Sequence, residues 1–174
     1  MTRLINLGVI EAEVTGGAPL QVVAQSFTNE GVVKAGSGGT LNLSSGSTSN
    51  RGVIEASGGT LNLYSGSTSN EIGGQVQVTG STLNVGGTSF TNAGALAISG
   101  GSAVIGSPTW SSPGSLAISA GRLSLGGSIA LADLPAFAHT GGTVVITGNV
   151  DNVGRTLSLS GSWELSNGTI HGGT

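Results

Sequence analysis

Apolar residues alternate with polar residues in many short segments of this chain. Clear examples are Ile54-Glu-Ala56 and Thr60-Leu-Asn-Leu63. Successive side chains of a strand point to opposite faces, so this alternation predicts short, half-buried β-strands. A 3.6-residue period is missing, and glycine recurs between these segments throughout the chain, which disfavours helix. The chain is therefore predicted to consist of strands joined by Gly/Ser/Asn turns.

A second, longer period places apolar residues in two ladders. The first ladder, with steps of 20 to 23 residues, falls at Ile10, Val33, Ile54, Val76, Leu96 and Leu116. The second, with steps of 20 to 22 residues, falls at Leu20, Leu41, Leu61, Leu83, Ala103, Leu123 and Val144. Two ladders with one period indicate a repeated unit. The sequence of this unit is N-x-G-x-Φ-x-Φ, followed by G-G-T-L-x-Φ and a Ser/Gly/Thr turn, where Φ is a small or aliphatic residue.

A unit of this length cannot bury its own apolar face, whereas stacked units can. We therefore predict an all-β fold, a parallel β-helix (β-solenoid) with coils of about 20–22 residues. The second ladder is expected to form a core row through the stack. The usual hand of parallel strand crossovers predicts a right-handed solenoid.

The regular repeats occupy residues 1–127, and residues 128–174 depart from them. This second part begins with an irregular apolar stretch at Ile129–Thr140, and strands are predicted at Thr143–Thr147, Thr156–Ser160 and Ser162–Leu165. The 26 residues from Val144 to Ile170 predict a larger coil at this end of the same solenoid. The pattern stops at Thr174 without a visible cap, so we expect a length of a longer rod.

Composition narrows the class of protein. Charged residues make up 7 % and apolar residues 37 % of the chain, unlike the low hydrophobicity and high charge of disordered proteins. The net charge is −3, and the five cations are scattered, which argues against nucleic-acid binding. Cysteine is absent. No segment is apolar enough to insert in a membrane, and no signal peptide is visible.

Segments such as Asn50-Arg-Gly-Val-Ile-Glu-Ala56, Gly59-Thr-Leu-Asn-Leu63 and Ser166-Asn-Gly-Thr-Ile-His-Gly-Gly-Thr174 resemble repeats of large bacterial surface proteins. These are the filamentous-haemagglutinin-like and autotransporter-passenger β-helix proteins, and the resemblance covers nearly the whole chain. It implies export to the cell surface or the extracellular space, a long rod, and a role in adhesion or surface structure. The secretion and receptor-binding parts of that group have no counterpart here.

Asparagine precedes one strand of each of five units and is predicted to form a turn ladder, at Asn6, Asn29, Asn50, Asn70 and Asn92. A row of polar ligand-binding groups is one interpretation. The structural interpretation is stronger, because Asn side chains satisfy backbone groups at tight corners.

An outward row of Thr and Asn is predicted at Thr40/Asn42, Thr60/Asn62 and Thr82/Asn84. Flat Thr-rich rows can bind ice, but the pattern weakens at Ser102/Val104 and Arg122/Ser124. A solvated face of β-favouring residues is the preferred interpretation.

The sequence contains few candidate catalytic or metal-binding residues. Glu11 and Glu55 share a position that Lys34 occupies between them, which indicates a solvated strand face. Three acidic residues of the C-terminal part are close enough in sequence to meet in space, namely Asp133, Asp151 and Glu164. The two histidines lack zinc spacing. We expect no enzyme activity, no cofactor and no metal.

Aromatic residues are the remaining candidates for ligand contact. Trp110 lies in a Ser/Pro-rich turn segment and is predicted to be partly exposed, and Tyr64 follows Leu63 directly and is predicted to face outward. Trp163 alternates with Leu165 and is predicted to be in the core.

Three hypotheses about function remain. The first is a structural or adhesive rod module that contacts neighbouring coils or copies of the same protein and assembles into fibres. The second is a module that binds a surface glycan or a protein receptor through residues 128–140. The third and weakest is a β-helix enzyme that cleaves glycans.

Overall fold

The computed structural model describes residues 2–14, 16–134, 136–157 and 161–173. In these ranges it contains twenty strands and one 3-10 turn at Leu131–Asp133, with no α-helix. The strands are β1 (Arg3–Asn6), β2 (Val9–Ala12), β3 (Leu20–Asn29), β4 (Val32–Gly36), β5 (Thr40–Asn50), β6 (Val53–Ser57), β7 (Thr60–Leu63), β8 (Ser67–Asn70), β9 (Gln75–Thr79), β10 (Ser81–Val85), β11 (Ser89–Asn92), β12 (Ala95–Ile105), β13 (Thr109–Ser111), β14 (Ser115–Leu125), β15 (Ser128–Ala130), β16 (Ala136–His139), β17 (Thr143–Ile146), β18 (Asn149–Asp151), β19 (Ser162–Leu165) and β20 (Thr169–His171).

Parallel pairing arranges these strands in three rows that run along the solenoid. Row A consists of β2, β4, β6, β9, the first halves of β12 and β14, and β16. Row B consists of the first halves of β3 and β5, then β7, β10, the second halves of β12 and β14, β17 and β19. Row C consists of β1, the second halves of β3 and β5, then β8, β11, β13, β15, β18 and β20.

The predicted β-solenoid is confirmed, with about eight turns of parallel strands. Both apolar ladders lie in register: Val33 pairs with Ile54 in row A, and Leu41 pairs with Leu61 in row B. At about 4.8 Å between neighbouring strands, eight turns give a rod about 40 Å long. Alternation of apolar and polar residues was therefore a sufficient guide to register, because one face of every strand is buried.

The core is a continuous column of aliphatic side chains inside the three rows. The row B residues Leu41, Leu61, Leu83, Ala103, Leu123 and Val144 are all fully buried. Row C contributes larger inward-facing side chains, among them Phe27, Phe90 and Trp110, and two inward threonines, Thr48 and Thr68. Each inward side chain packs on the ones above and below it, so the stability of a coil depends on both of its neighbours.

A column of glycines marks the corner between rows C and A. A Cβ atom built on Gly31 would lie 2.1 Å from the carbonyl oxygen of Gly8, and one on Gly52 would lie 2.1 Å from that of Gly31. No side chain tolerates such a distance, so the close approach of successive coils requires glycine here. This explains the glycine of the N-x-G unit.

Two predictions about the C-terminal part need correction. The larger final coil is wrong: Val144 pairs with Trp163, and Ile170 pairs with Val150 instead, so the last coil has a repeat like the others. Val144 and Ile170 belong to different rows, which is why the spacing between them was misleading. Of the strand predicted at Thr156–Ser160, residues 158–160 lie outside the described residues, and Thr156 and Leu157 are not in a strand.

Leu20 differs from the other members of the predicted core row. It pairs with Leu41 as expected, but it is 39 % exposed. Among the described residues no strand pairs with the first half of β3 on its other side, so Leu20 is covered on one side only. It is therefore an end residue of the ladder.

Candidate functional site

The five predicted turn asparagines lie one above another in row C and are joined by their side chains. Each Nδ2 donates to the Oδ1 of the asparagine in the next coil, over 2.8 Å for Asn6 to Asn29 and 2.7 Å for Asn29 to Asn50. The same bond, 2.7 Å long, joins Asn50 to Asn70 and Asn70 to Asn92. All five side chains are buried. The ladder thus has a direction, with donors pointing toward the C-terminal end.

Each ladder asparagine also donates to the main chain of the coil beyond it. The acceptors include the carbonyl oxygens of Val32 for Asn6, Val53 for Asn29 and Ser115 for Asn92, at 2.8–3.0 Å. The amide hydrogens of these side chains are therefore used inside the protein. A buried, fully bonded row has no free donor for a ligand, so the ladder acts as a clamp between coils.

The ladder stops near the C-terminal end. Asn92 donates to the hydroxyl of Ser112 over 2.8 Å, and the next strand of row C, β15, ends at Ala130, where the 3-10 turn Leu131–Asp133 begins. Ala130 pairs with Asp151, the last residue of β18, and Asn152 directly follows that strand. Asn152 is 5 % exposed, and its Oδ1 has no hydrogen-bond partner among the described residues. Where the 3-10 turn interrupts the row, no ladder asparagine donates to this buried acceptor in the described part of the chain.

The outward Thr/Asn row forms a second, shorter ladder on the face of row B. Asn62 donates to Asn42 and Asn84 donates to Asn62, each over 2.7 Å. The side chains are half-buried. The asparagines are bonded to one another along the rod, and the regular surface is limited to three coils.

The two candidate ligand-contact aromatics differ in environment. Tyr64 is 52 % exposed, and its hydroxyl lies 3.4 Å from Oδ1 of Asn62. Trp110 lies in strand β13 and is 5 % exposed, and its Nε1 donates to the carbonyl oxygen of Gly126 over 2.8 Å. The expected exposure of Trp110 is wrong, because the residue occupies the inward row C position that Phe90 fills one coil earlier. A buried indole offers no face for a sugar.

An aromatic cluster near the C-terminal end was missed in the sequence. The rings of Phe137 and Trp163 meet edge to face at 5.7 Å between centroids, and His139 and Trp163 at 5.6 Å. Next to them is a cavity of about 210 Å³ whose lining includes Leu131, Leu134 and Phe137. The two apolar ladders of the sequence contained the signal for this cluster. Phe137 pairs with Leu116 of the first ladder, and Trp163 pairs with Val144 of the second.

Charged side chains are paired or dispersed. Lys34 lies 2.9 Å from Glu11, as their shared position on adjacent coils predicts, and Arg122 lies 3.0 Å from Glu164. The Glu11 carboxylate accepts a hydrogen bond from Lys34 and attracts its charge, which raises the pKa of Lys34. The Oδ1 of Asp151 accepts a bond from the amide of Val153. In the described ranges, no three His, Asp or Glu side chains are grouped as metal ligands.

The two ends of the rod are the most apolar parts of its surface. Of the thirteen large hydrophobic side chains that are exposed in the described ranges, seven precede residue 24 and three follow residue 152. Comparisons of the chain with protein-family models, with curated proteins and with solved structures find no match. The described part of the chain contains no helix long and apolar enough to cross a membrane. The exposed apolar side chains are thus concentrated in the first and last described coils.

Proposed function

We propose that this chain is a structural rod module of a large bacterial surface or secreted protein, and that it joins end to end with copies of itself into fibres. The rod-like β-solenoid is compatible with such a role. The resemblance of its repeats to those of bacterial β-helix surface proteins supports the extracellular location. An adhesive role would belong to the assembled fibre.

One observation carries this proposal: unpaired strand edges and exposed apolar side chains coincide at both ends. Among the described strands β1 pairs only with β3, and Leu4 and Leu20 are each more than a third exposed although both face the interior. At the C-terminal end, Leu165 and Ile170 are exposed in the same way. Edges of this kind associate with further strands unless something blocks them.

We further propose that the module has no catalytic function. The asparagines of its most regular polar rows, the Asn ladder and the Thr/Asn row, are bonded within the protein. Glu11 and Glu164 are each paired with a cation. A hydrolytic pair needs two carboxylates facing one bond. Asp133, Asp151 and Glu164 lie on three different elements and make separate contacts.

A second candidate function is binding of a glycan or protein through residues 128–140. The cavity beside Phe137 favours it, because four of its lining residues belong to that segment. A glycan array tests this alternative, with Phe137→Ala as the matched variant. Binding that is lost in the variant would favour the binding module over the rod.

Sedimentation velocity over a concentration series tests the rod proposal. We expect species that grow with concentration and whose frictional ratio rises, because end-to-end joining lengthens a rod without widening it. Electron microscopy should then show lengths in steps of about 40 Å. A species that stays monomeric at every concentration would refute end-to-end assembly.

A further inference from the structure

Row B presents an uncharged outer face over three successive coils. It consists of the outward residues of β5, β7 and β10 and of the turns that follow β7 and β10, namely Thr40, Asn42, Ser44, Thr60, Asn62, Tyr64, Thr82, Asn84 and Gly86. We call these nine residues the Tyr64 face. Equivalent residues lie about 4.8 Å apart along the rod, and the columns they form lie about 7 Å apart across it. A paired coil flanks this face on either side, through β3 and β12.

The Tyr64 ring is held against this face. A Cβ atom built on Gly86, the neighbour of Tyr64 in the next coil, would lie 3.0 Å from Cδ1 and 3.3 Å from Cε1 of the ring. The tyrosine hydroxyl lies 3.4 Å from Oδ1 of Asn62, two residues back in the chain. The glycine thus makes room for the ring, and the contact at its tip sets its direction. The side chain is 52 % exposed, so one side of the ring is covered and the other is open to water.

Hydrogen-bonding groups beside the ring are free. Asn62 and Asn84 each donate to the preceding asparagine, which leaves Nδ2 of Asn42 and Oδ1 of Asn84 unbonded within the described residues. The hydroxyls of Thr60 and Thr82 likewise bond to no residue that the structure describes. One aromatic ring is therefore surrounded by donors and acceptors at fixed spacings. Groups that a rigid sheet holds in place lose little conformational entropy when they bind a ligand.

This combination fits an uncharged sugar chain. A sugar ring has an apolar C–H side that can stack on an aromatic ring, and hydroxyls at its rim that both donate and accept hydrogen bonds. None of the nine residues is charged, so the face provides no complementary charge for an acidic glycan. We propose that the Tyr64 face binds a neutral glycan, with one sugar stacked on Tyr64 and its hydroxyls bonded to the Asn and Thr side chains beside it.

A protein partner fits this face less well. The centre of a protein–protein interface is apolar, whereas Tyr64 is the only large hydrophobic residue among the nine. The face is also separate from the apolar cavity beside Phe137, which is lined by residues 125–163. Glycan binding at Tyr64 is therefore a function of the side of the rod, and it does not depend on whether copies join end to end.

A fluorine label on Tyr64 tests the site directly. The protein contains one tyrosine, so the full chain labelled with 3-fluorotyrosine gives a fluorine NMR resonance that reports on this residue alone. The neutral probes are cellohexaose, chitohexaose and maltohexaose, and the acidic probe is hexagalacturonate. We expect at least one neutral probe to shift the resonance saturably and the acidic probe to leave it unchanged. No saturable shift with any neutral probe, or an equal shift with hexagalacturonate, would overturn the proposal.

Two threonine variants show whether the probe contacts the rest of the face. Thr60→Val keeps the branched shape but removes a free hydroxyl, so it should weaken binding of the neutral probe about fivefold without lowering the melting temperature. Thr28→Val is the matched control, because Thr28 is also half-buried and outward but lies in row C. It should leave the affinity unchanged. Equal weakening by both variants would contradict binding at the Tyr64 face.

Removal of the ring should have the largest effect on binding. Tyr64→Ala should weaken the neutral probe at least about tenfold, measured by affinity electrophoresis because this variant carries no fluorine label. Phe137→Ala should have no effect on the same probe, since that ring lies beside the other cavity. Unchanged affinity in Tyr64→Ala would refute the site, and loss of affinity in Phe137→Ala alone would assign the glycan to the cavity instead.

Discussion

Interior coils and end coils are built from the same unit, yet the same residue has a different environment in each. Leu61 and Leu20 belong to one ladder, but the first is fully buried and the second is 39 % exposed. A Cβ on Gly52 would collide with the coil before it, whereas one on Gly8 would meet nothing within 4 Å. In a solenoid the energy of a residue therefore depends on having coils on both sides.

We expect the largest difference in stability between an interior and an end position in the core ladder. Leu61→Asp places an unpaired charge between Leu41 and Leu83 and should lower the free energy of unfolding by about 4 kcal/mol or more. Leu20→Asp should cost about 1 kcal/mol or less, because water reaches this position. Urea denaturation followed by circular dichroism measures both.

Thr60→Asp is the control for the strand register. Thr60 is only half-buried and lies next to Leu61 on the opposite face of β7. Its substitution should change the stability by no more than about 0.5 kcal/mol. Similar losses for Thr60→Asp and Leu61→Asp would contradict the assigned faces.

The next largest difference in stability between an interior and an end position is expected in the glycine column. In Gly52→Ala the new methyl group lies 2.1 Å from the carbonyl oxygen of Gly31, so the coils must separate locally. We expect a loss of about 1–3 kcal/mol, the range of overpacked sites. Gly8→Ala should be neutral or slightly stabilising. Thermal unfolding of the two variants gives the comparison, and equal melting temperatures would refute the steric explanation.

A smaller difference in stability between an interior and an end position is expected in the asparagine ladder. Asn50→Ala removes the side-chain acceptor of the Asn29 amide and the donor to Oδ1 of Asn70, at a cost of about 1–3 kcal/mol. Asn6→Ala removes a partner on one side only and should cost less. Hydrogen exchange in β4 and β6 tests this, since those amides should lose protection in Asn50→Ala. Unchanged protection there would mean that the ladder does not clamp the coils.

The smallest effect concerns the ion pair that ties the first coil to the second. Because Glu11 raises the pKa of Lys34 above its ordinary value of 10.5, the pair stabilises the fold fully below that pH. Its contribution is lost as the pH rises through the raised pKa.

Lys34→Met tests the pair in urea titrations at several pH values. The stability difference from the unmodified protein should be constant from about pH 7 to 9 and vanish at higher pH. Arg51→Met is the matched control, because it also removes a cation that faces a carboxylate of the preceding coil, 3.9 Å from Glu30. A difference for Lys34→Met that persists at high pH would assign the effect to packing of the lysine stem.

Much of the fold could be predicted because the signal is local and repeated. Alternation in Thr60–Leu63 assigns the faces of one strand, and the recurrence of that pattern aligns the strands of successive coils. The prediction failed where the repeat weakens. At Val144 and Ile170 the spacing was assigned to one row although two rows are involved, because nothing in a short apolar segment identifies its row.

The candidate site was less predictable than the fold. The turn asparagines were visible in the sequence, but the direction of their hydrogen bonds and the unsatisfied Oδ1 of Asn152 depend on atomic positions. The burial of Trp110 was hidden by the Ser/Pro-rich sequence around it. Turn residues flank strands in this solenoid, so composition alone could not separate the turn from the short strand β13.

The sequence alone determined the architecture: period-2 alternation chose strands, and a repeat of about 20 residues demanded stacking, because one unit cannot bury its own apolar face. Only the tertiary structure decided which residues are interior and which are ends. Leu20 and Leu61 occupy equivalent positions of the repeat, but Leu20 is exposed because no described strand covers its second side. The tertiary structure also decided that β1 and β20 share a row, since the pairing of distant strands depends on how many circuits the chain completes between them.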